Sequence, residues 1–213
     1  MPAHLRVSVP DRPGSLASLT AALAAVGANV QSVSVVDREA GRAVDDLLLD
    51  WPYGRAWDAV TAAIDNCPGL RVHGLRHIAE PSVSHDADLL GQVLAEPVRA
   101  TETVIDGLPH VLLADWCALF DRREPRQPVY ATPGSPVPLP ETDHPLGRPR
   151  TLSVEGESLL LAPIPSSQLR VLVGRYAGPG FTRGELQRCV SLISATWKVI
   201  ELAAAGPMSA VLS

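Results

Sequence analysis

A short alternating run that breaks at a Pro-Gly turn and restarts as a helix constrains this chain more than any other feature. Leu5, Val7 and Val9 alternate with His4, Arg6 and Ser8, the two-residue period of a half-buried strand. Asp11-Arg12-Pro13-Gly14-Ser15-Leu16 interrupts the run, and Leu16, Leu19, Leu23 and Val26 then recur at helical spacing. A second strand opens at Gly27-Ala28-Asn29-Val30. The Gly-bearing turn thus delivers the N-terminus of a helix. Such an end carries unpaired N–H groups and partial positive charge, so it can hold a small carboxylate. Asp11 offers a negative partner to an ammonium group, and the combination suits a free amino acid. A simpler role is open to the same residues: Pro13-Gly14 makes the turn and Asp11 caps the helix.

The pattern continues with Val33 and Val35 on one face of the second strand and a hairpin turn at Arg38-Glu39-Ala40-Gly41. A third strand is predicted over about 43–51, where Leu47, Leu49 and Trp51 alternate against Leu48 and Asp50. A second helix over about 55–66 carries Trp57, Val60 and Ile64 on one stripe. Pro68-Gly69 ends it, and a fourth strand runs from Leu70 to about Ile78. This βαββαβ order implies an antiparallel sheet with both helices on one face. The other face must be solvated or covered, which points to dimerisation or domain packing.

The stretch LRVSVPDRPGSLASLTAALAAVGANVQSVSVV resembles the first half of an ACT domain, and the resemblance extends over roughly residues 4–79. It implies a ferredoxin-like fold and a regulatory module that binds an amino acid, usually at a subunit interface. The ligand positions implied are Asp11, Arg12, Pro13, Gly14, Ser15 and Leu16 in the loop, with Asn29 and Val30 at the start of the second strand.

With 213 residues and 46% hydrophobic content, the chain has room for two small domains, each with a core. It contains no long apolar run and no signal-peptide pattern, so it is expected to be soluble and cytoplasmic. Cys67, Cys117 and Cys189 are widely spaced and make no metal-ligand pattern, which fits reduced, buried thiols. A net charge of −5 argues against sequence-independent nucleic-acid binding. Lys198 is the sole lysine among many arginines, a bias that suggests a GC-rich bacterial genome.

Polar, aperiodic residues 81–86 read as a linker between a domain at 1–80 and another at 87–213. The second half begins with a helix over about 87–102 carrying Leu89, Leu90, Val93, Leu94 and Val98, then a strand through Val111–Phe120. Eight of the twenty prolines lie in 121–157, which reads as a long loop. Two short strands follow, Ser158–Ile164 and Leu169–Tyr176. Thr182 and Glu185 form a capping box, Phe181 and Leu186 a hydrophobic staple, and Leu186, Val190, Ile193, Trp197 and Ile200 an amphipathic stripe ending near Gly206-Pro207. The element order and the segment SLLLAPIPSSQLRVLVGRYAGPGFTRGELQRCVSLI resemble the end of a GAF domain, which implies an antiparallel sheet with flanking helices. No pocket residue carries over from that resemblance.

His73 and His77, four apart on a strand, are expected on one face, where they could ligate a metal with Cys67 or Glu80. No third ligand falls at a standard spacing, so a solvated face is the better reading. Asp46 and Asp50 are placed on one face of the third strand and Asp45 on the other, all as solvated charge. No Walker loop, GxSxG elbow, HExxH or Cys-x-x-Cys pair is present. The expectation is a non-catalytic regulatory protein that binds an amino acid or similar metabolite, needs no cofactor or metal, and forms a homodimer. The alternatives are a docking or dimerisation module for a partner enzyme with a silent pocket, and a small unrecognised enzyme.

Overall fold

The computed structural model describes residues 2–52, 54, 56–78, 86–142, 147–176 and 179–205. The chain divides into two compact units, Met1–Ser82 with Ala177–Gly184, and Val83–Tyr176 with Glu185–Ser213. The expected linker falls mostly on 79–85, outside the described residues. That a late segment rejoins the first unit departs from the expected division into 1–80 and 87–213.

The first unit runs β1 (Pro2–Pro10), α1 (Ser15–Ala25), β2 (Asn29–Glu39), β3 (Arg42–Asp50), α2 (Asp58–Asp65) and β4 (Arg71–His77). Its antiparallel sheet has the order β2-β3-β1-β4. Ala3, Leu5, Val7 and Val9 line one face with Leu47, Leu49 and Trp51, and Leu19, Leu23, Val60 and Ile64 of the helices pack on them. Trp51 stacks on Trp57 at 5.8 Å between ring centres, closing the α2 end of this core.

The opposite face departs from the expected solvated pattern. His4, Arg6 and Ser8 are buried as completely as the apolar residues between them. Arg6 lies directly across from Asp46 and holds it with two bonds, Nε to Oδ1 at 2.6 Å and Nη2 to Oδ2 at 2.5 Å. His4 Nε2 lies 3.0 Å from Asp46 Oδ1. Arg6 Nη1 also donates to the Gly180 carbonyl at 2.8 Å, so the returning segment is tied to this face. Burial alone would raise the Asp46 pKa. The bonds from Arg6 and His4 outweigh it and hold the carboxyl well below the usual carboxylate range. Asp46 is therefore a buried structural charge, and Asp45 is buried as well; only Asp50 is exposed as expected.

The expected shared face of His73 and His77 is also overturned. The register of β4 against β1 slips between Arg6 and Val7, with Arg6 opposite Gly74 and Val7 opposite Val72. His73 is the extra residue of this bulge, and the alternation restarts beyond it. His77 then faces the helices, edge-on to Trp57 at 5.8 Å. His73 lies on the other side with Arg6, Arg42 and Arg71, and its pKa is lowered by burial and by those cations.

The second unit runs α3 (Asp86–Ala95), a single 3-10 turn (Pro97–Arg99), α4 (Ala100–Val111), β5 (Trp116–Asp121), β6 (Pro128–Ala131), β7 (Arg150–Val154), β8 (Glu157–Pro163), β9 (Leu169–Arg175) and α5 (Arg183–Ala204). Its antiparallel sheet has the order β6-β5-β9-β8-β7. The expected single helix over 87–102 is two helices broken at Pro97, and residues read as the start of a strand end α4 instead. The proline-rich span is not wholly loop: it supplies both edge strands of the sheet. Pro128 opens β6, a position where its missing N–H costs no ladder bond in the sheet interior.

Trp116, Ala118, Phe120, Leu159, Leu161 and Leu172 form one face of this sheet, and Leu139 from the long loop seals it. Gly174 sits opposite Trp116, where a Cβ would come within 2.0 Å of the indole. On α5 the buried line is Glu185, Cys189, Leu192, Ile193 and Thr196, whereas Leu186, Val190, Trp197 and Ile200 are half-buried. Buried Glu185 explains this rotation. It pairs with Arg175 at 2.9 Å, and Arg175 also donates to the Leu112 and Leu113 carbonyls beyond α4. Arg188 similarly ties α5 to Asp86 at 2.7 Å and to the Val111 carbonyl at 3.1 Å.

Candidate ligand-binding site

The loop between β1 and α1 is fixed by its own backbone. Asp11 N–H donates to the Gly41 carbonyl at 2.9 Å, Arg12 N–H to Pro10 at 2.8 Å, and Ser15 N–H to Arg12 at 3.3 Å. Gly14 is the N-cap residue and takes φ +90°, a conformation that L side chains adopt only with strain. Its carbonyl accepts the first helical bond, from Ser18 N–H at 3.0 Å. No side chain caps α1. Asp11 instead faces Arg38, 3.7 Å away, with both side chains largely exposed.

Among the described residues, the N–H groups of Gly14, Leu16 and Ala17 have no acceptor, whereas that of Ser15 is engaged within the turn. The open donors are therefore those of Gly14, Leu16 and Ala17, with Ser15 excluded. They make the start of α1 a place where an anion is favoured. Arg12, Pro13, Gly14 and Ser15 line a cleft of about 360 Å³, completed by Pro10, Ser18, Pro68 and Leu70. Leu16 points outward, away from this cleft.

Asn29 and Val30 do not join the loop within one copy of the chain. The register aligns Asn29 with Asp50 and Asp50 with Pro2, at the start of β1. The loop follows Pro10, at the other end of the same strand. Nine residues separate the two ends by about 26 Å. The β2 residue beside the loop is Arg38, which sequence periodicity did not single out. Arg42 opens β3 there and braces the corner, donating to the Ser8 carbonyl at 2.9 Å and the Gly69 carbonyl at 2.7 Å.

Asp45, expected as solvated charge, is only 3% exposed. It pairs across strands with Val7 and Val35 and so lies on the helix-facing side of the sheet. Burial pushes its carboxyl above the ordinary value; Arg38 opposes this, and Asp46 and Asp11 add to it.

Among the described residues no three His, Cys, Asp or Glu side chains gather as a metal site; Glu80 lies outside them. All three cysteines are free, and burial pushes the Cys117 and Cys189 thiols up. No helix among the described residues is long and apolar enough to cross a membrane.

The sequence model of the ACT domain family matches residues 3–50, which span β1, α1, β2 and β3. The loop and its neighbours thus lie within the stretch that matches the ACT domain model. No curated protein matches the chain. Similar solved structures include a protein of unknown function from Galdieria sulphuraria, at 15% identity and a TM-score of 0.32, covering 92% of this chain and 91% of that one. The regulatory subunit of aspartate kinase from Thermus thermophilus, ligand free, is 13% identical with a TM-score of 0.27, covering 93% of this chain and 97% of that one. A formyltetrahydrofolate deformylase from Pseudomonas putida KT2440 is 15% identical with a TM-score of 0.29, over 46% of this chain and 38% of that one. Scores this low carry no argument about function. The resemblance of the second unit to a GAF domain gains no support from these comparisons.

Proposed function

We propose that this is a non-catalytic regulatory protein whose ACT unit binds a free amino acid at the β1–α1 loop. The observation that carries the reading is the Gly14 turn, which leaves N–H groups open at the start of an eleven-residue helix inside the ACT match. The ligand carboxylate rests on those donors, and the loop residues Asp11 to Leu16 surround it. Asn29 and Val30 contribute only if a second copy brings them to the loop. Binding then shifts a dimer interface or an interaction with a partner enzyme, which requires different affinities in two states.

A thermal-shift screen of the twenty L-amino acids tests this. A ligand at about one hundred times its Kd adds roughly 2.7 kcal/mol to the folded state, a rise of several degrees in Tm. If none of the twenty moves the Tm, the amino-acid reading fails. The second reading, a docking module with a silent pocket, then takes its place. It is favoured by one observation, the exposed edge strand β2 with Val33 and Val35 bare.

A further inference from the structure

We propose that the face of the first sheet opposite its helices carries an oxyanion site, formed by Arg42, Arg71 and His73 around Ser8, that takes a phosphate group. The site stands apart from the amino-acid reading above and does not depend on it.

Strand register brings these residues together. Ser8 of β1 lies across from Arg71 of β4, and Pro10, two residues on, lies across from Arg42 of β3. Residues paired across strands share a face, so Arg42 and Arg71 stand with Ser8 on the side away from α1 and α2. His73 joins them as the extra residue of the β4 bulge.

Arg42 is fixed by the fold itself. Its Nη2 donates to the Ser8 carbonyl at 2.9 Å, the Ser8 hydroxyl at 2.9 Å and the Gly69 carbonyl at 2.7 Å, and its Nε to the same hydroxyl at 3.3 Å. All of these acceptors are neutral. Arg6, Arg175 and Arg188 each meet a carboxylate instead. Arg42 meets none among the described residues, and none of them takes a bond from its Nη1. The Ser8 hydroxyl accepts from Arg42, which leaves its proton to donate. The side chains of Arg71 and His73 are exposed and bond to none of the described residues. Asp46 shares the face, but Arg6 and His4 hold it. The charges that act on His73 are accordingly all cationic: Arg6 from β1, Arg42 from β3 and Arg71 from its own strand. A chain of net charge −5 thus gathers two guanidiniums, an imidazole and a hydroxyl here without an acid bonded to them. Guanidinium forks match the oxygens of a tetrahedral oxyanion, and the double charge of a phosphate answers two arginines.

Sulfate is the first probe, because it is tetrahedral and keeps its double charge near neutral pH, so any pH dependence belongs to the protein. Binding is followed through the His73 ring resonances of the full chain, with sodium chloride of equal ionic strength as the control. A bound dianion should raise the pKa of His73, and sulfate should bind about tenfold more tightly well below that value than well above it. Arg71→Gln should weaken sulfate about tenfold with the circular dichroism unchanged. His73→Asn should still bind and lose the pH dependence. Inorganic phosphate and phenyl phosphate then separate the sources, and both outcomes sustain the site. Equal affinity identifies the free ion, and tighter binding of the ester identifies a phosphorylated metabolite. Succinate that binds as tightly as sulfate overturns the phosphate class. Arg71→Gln that binds as the parent does, or a pH dependence that survives His73→Asn, overturns the assignment of residues. Chloride that moves the His73 resonances as far as sulfate does overturns the site outright, and that comparison needs only the unaltered chain.

Discussion

The two adjacent aspartates of β3 show how far a residue's meaning depends on what lies across the strand. Both read as solvated from sequence, because alternation predicts the face and not what covers it. Asp46 faces Arg6 and His4, and removing it strands a buried guanidinium. Asp46→Ala is expected to cost about 3–5 kcal/mol in urea denaturation. Its depressed pKa means that its contribution is present above the unfolded value, about 4, and is lost as pH falls through the lower folded value. Asp45 has the opposite sign. Its raised folded pKa means that it lowers stability as pH rises from about 4 through that value. Asp45→Asn should therefore match or exceed the parent in stability at pH 7 and lose that advantage below pH 4. Stability curves of the two variants against pH would separate the roles, and a destabilised Asp45→Asn at neutral pH would contradict the account of Asp45 as an unpaired acid. The loop itself was legible at this scale. Its glycine was marked as a turn residue, and Gly14 proves to need φ +90° while a Cβ there would meet open space.

Among the elements, the strands and helices of the first unit were readable because their core-facing apolar residues keep one period, as Leu47, Leu49 and Trp51 do along β3 and just past its end, even though β1 and β3 are buried on both faces. Prolines concealed the second unit. The helix expected over 87–102 runs through Pro97, where the chain in fact breaks, and stops short of most of α4, whose buried line is Val104, Ile105, Leu108 and Val111. Pro109 fits because it sits near the C-terminal end, where little helix remains to be disturbed. The same composition hid β6 and β7, which prolines confine to the sheet edges. The stripe on α5 was offset by one position because Glu185 is buried by Arg175, a polar pairing that hydrophobic periodicity cannot register. Trp197 is accordingly half-buried, and Trp197→Ala should cost less than the roughly 3–5 kcal/mol of a fully buried aromatic. Gly174→Ala is the sharper probe. It drives a methyl into the Trp116 ring from the facing strand and should cost about 1–3 kcal/mol, read as a lower urea midpoint with an unchanged m-value.

At the scale of the whole molecule, the exposed surface of the first unit favours self-association. β2 is an eleven-residue edge strand, long enough to template another strand along its free side. Its stretch from Asn29 to Val36 holds no charge and no proline, and only the register shifts at Val30/Ser32 and Val35/Asp37 interrupt it. Val33 and Val35 are 37% and 52% exposed on the helix-facing side, and Leu16 of α1 is 43% exposed. A second copy added along β2 would satisfy the open backbone groups and cover these three side chains together, in an isologous contact that closes on itself. The chain should therefore be a dimer at micromolar concentration in light scattering. Val33→Lys adds a charge to the exposed edge and should yield a folded monomer. The substitution also separates binding within one copy from binding across two. If the amino acid binds wholly within one copy, the monomeric variant keeps its affinity. If Asn29 and Val30 reach the loop from a neighbour, affinity and dimerisation are lost together. A parent protein that is monomeric at these concentrations would remove the interface, and with it any role for Asn29 and Val30, because the register keeps them at the far end of the sheet from the loop in a single copy.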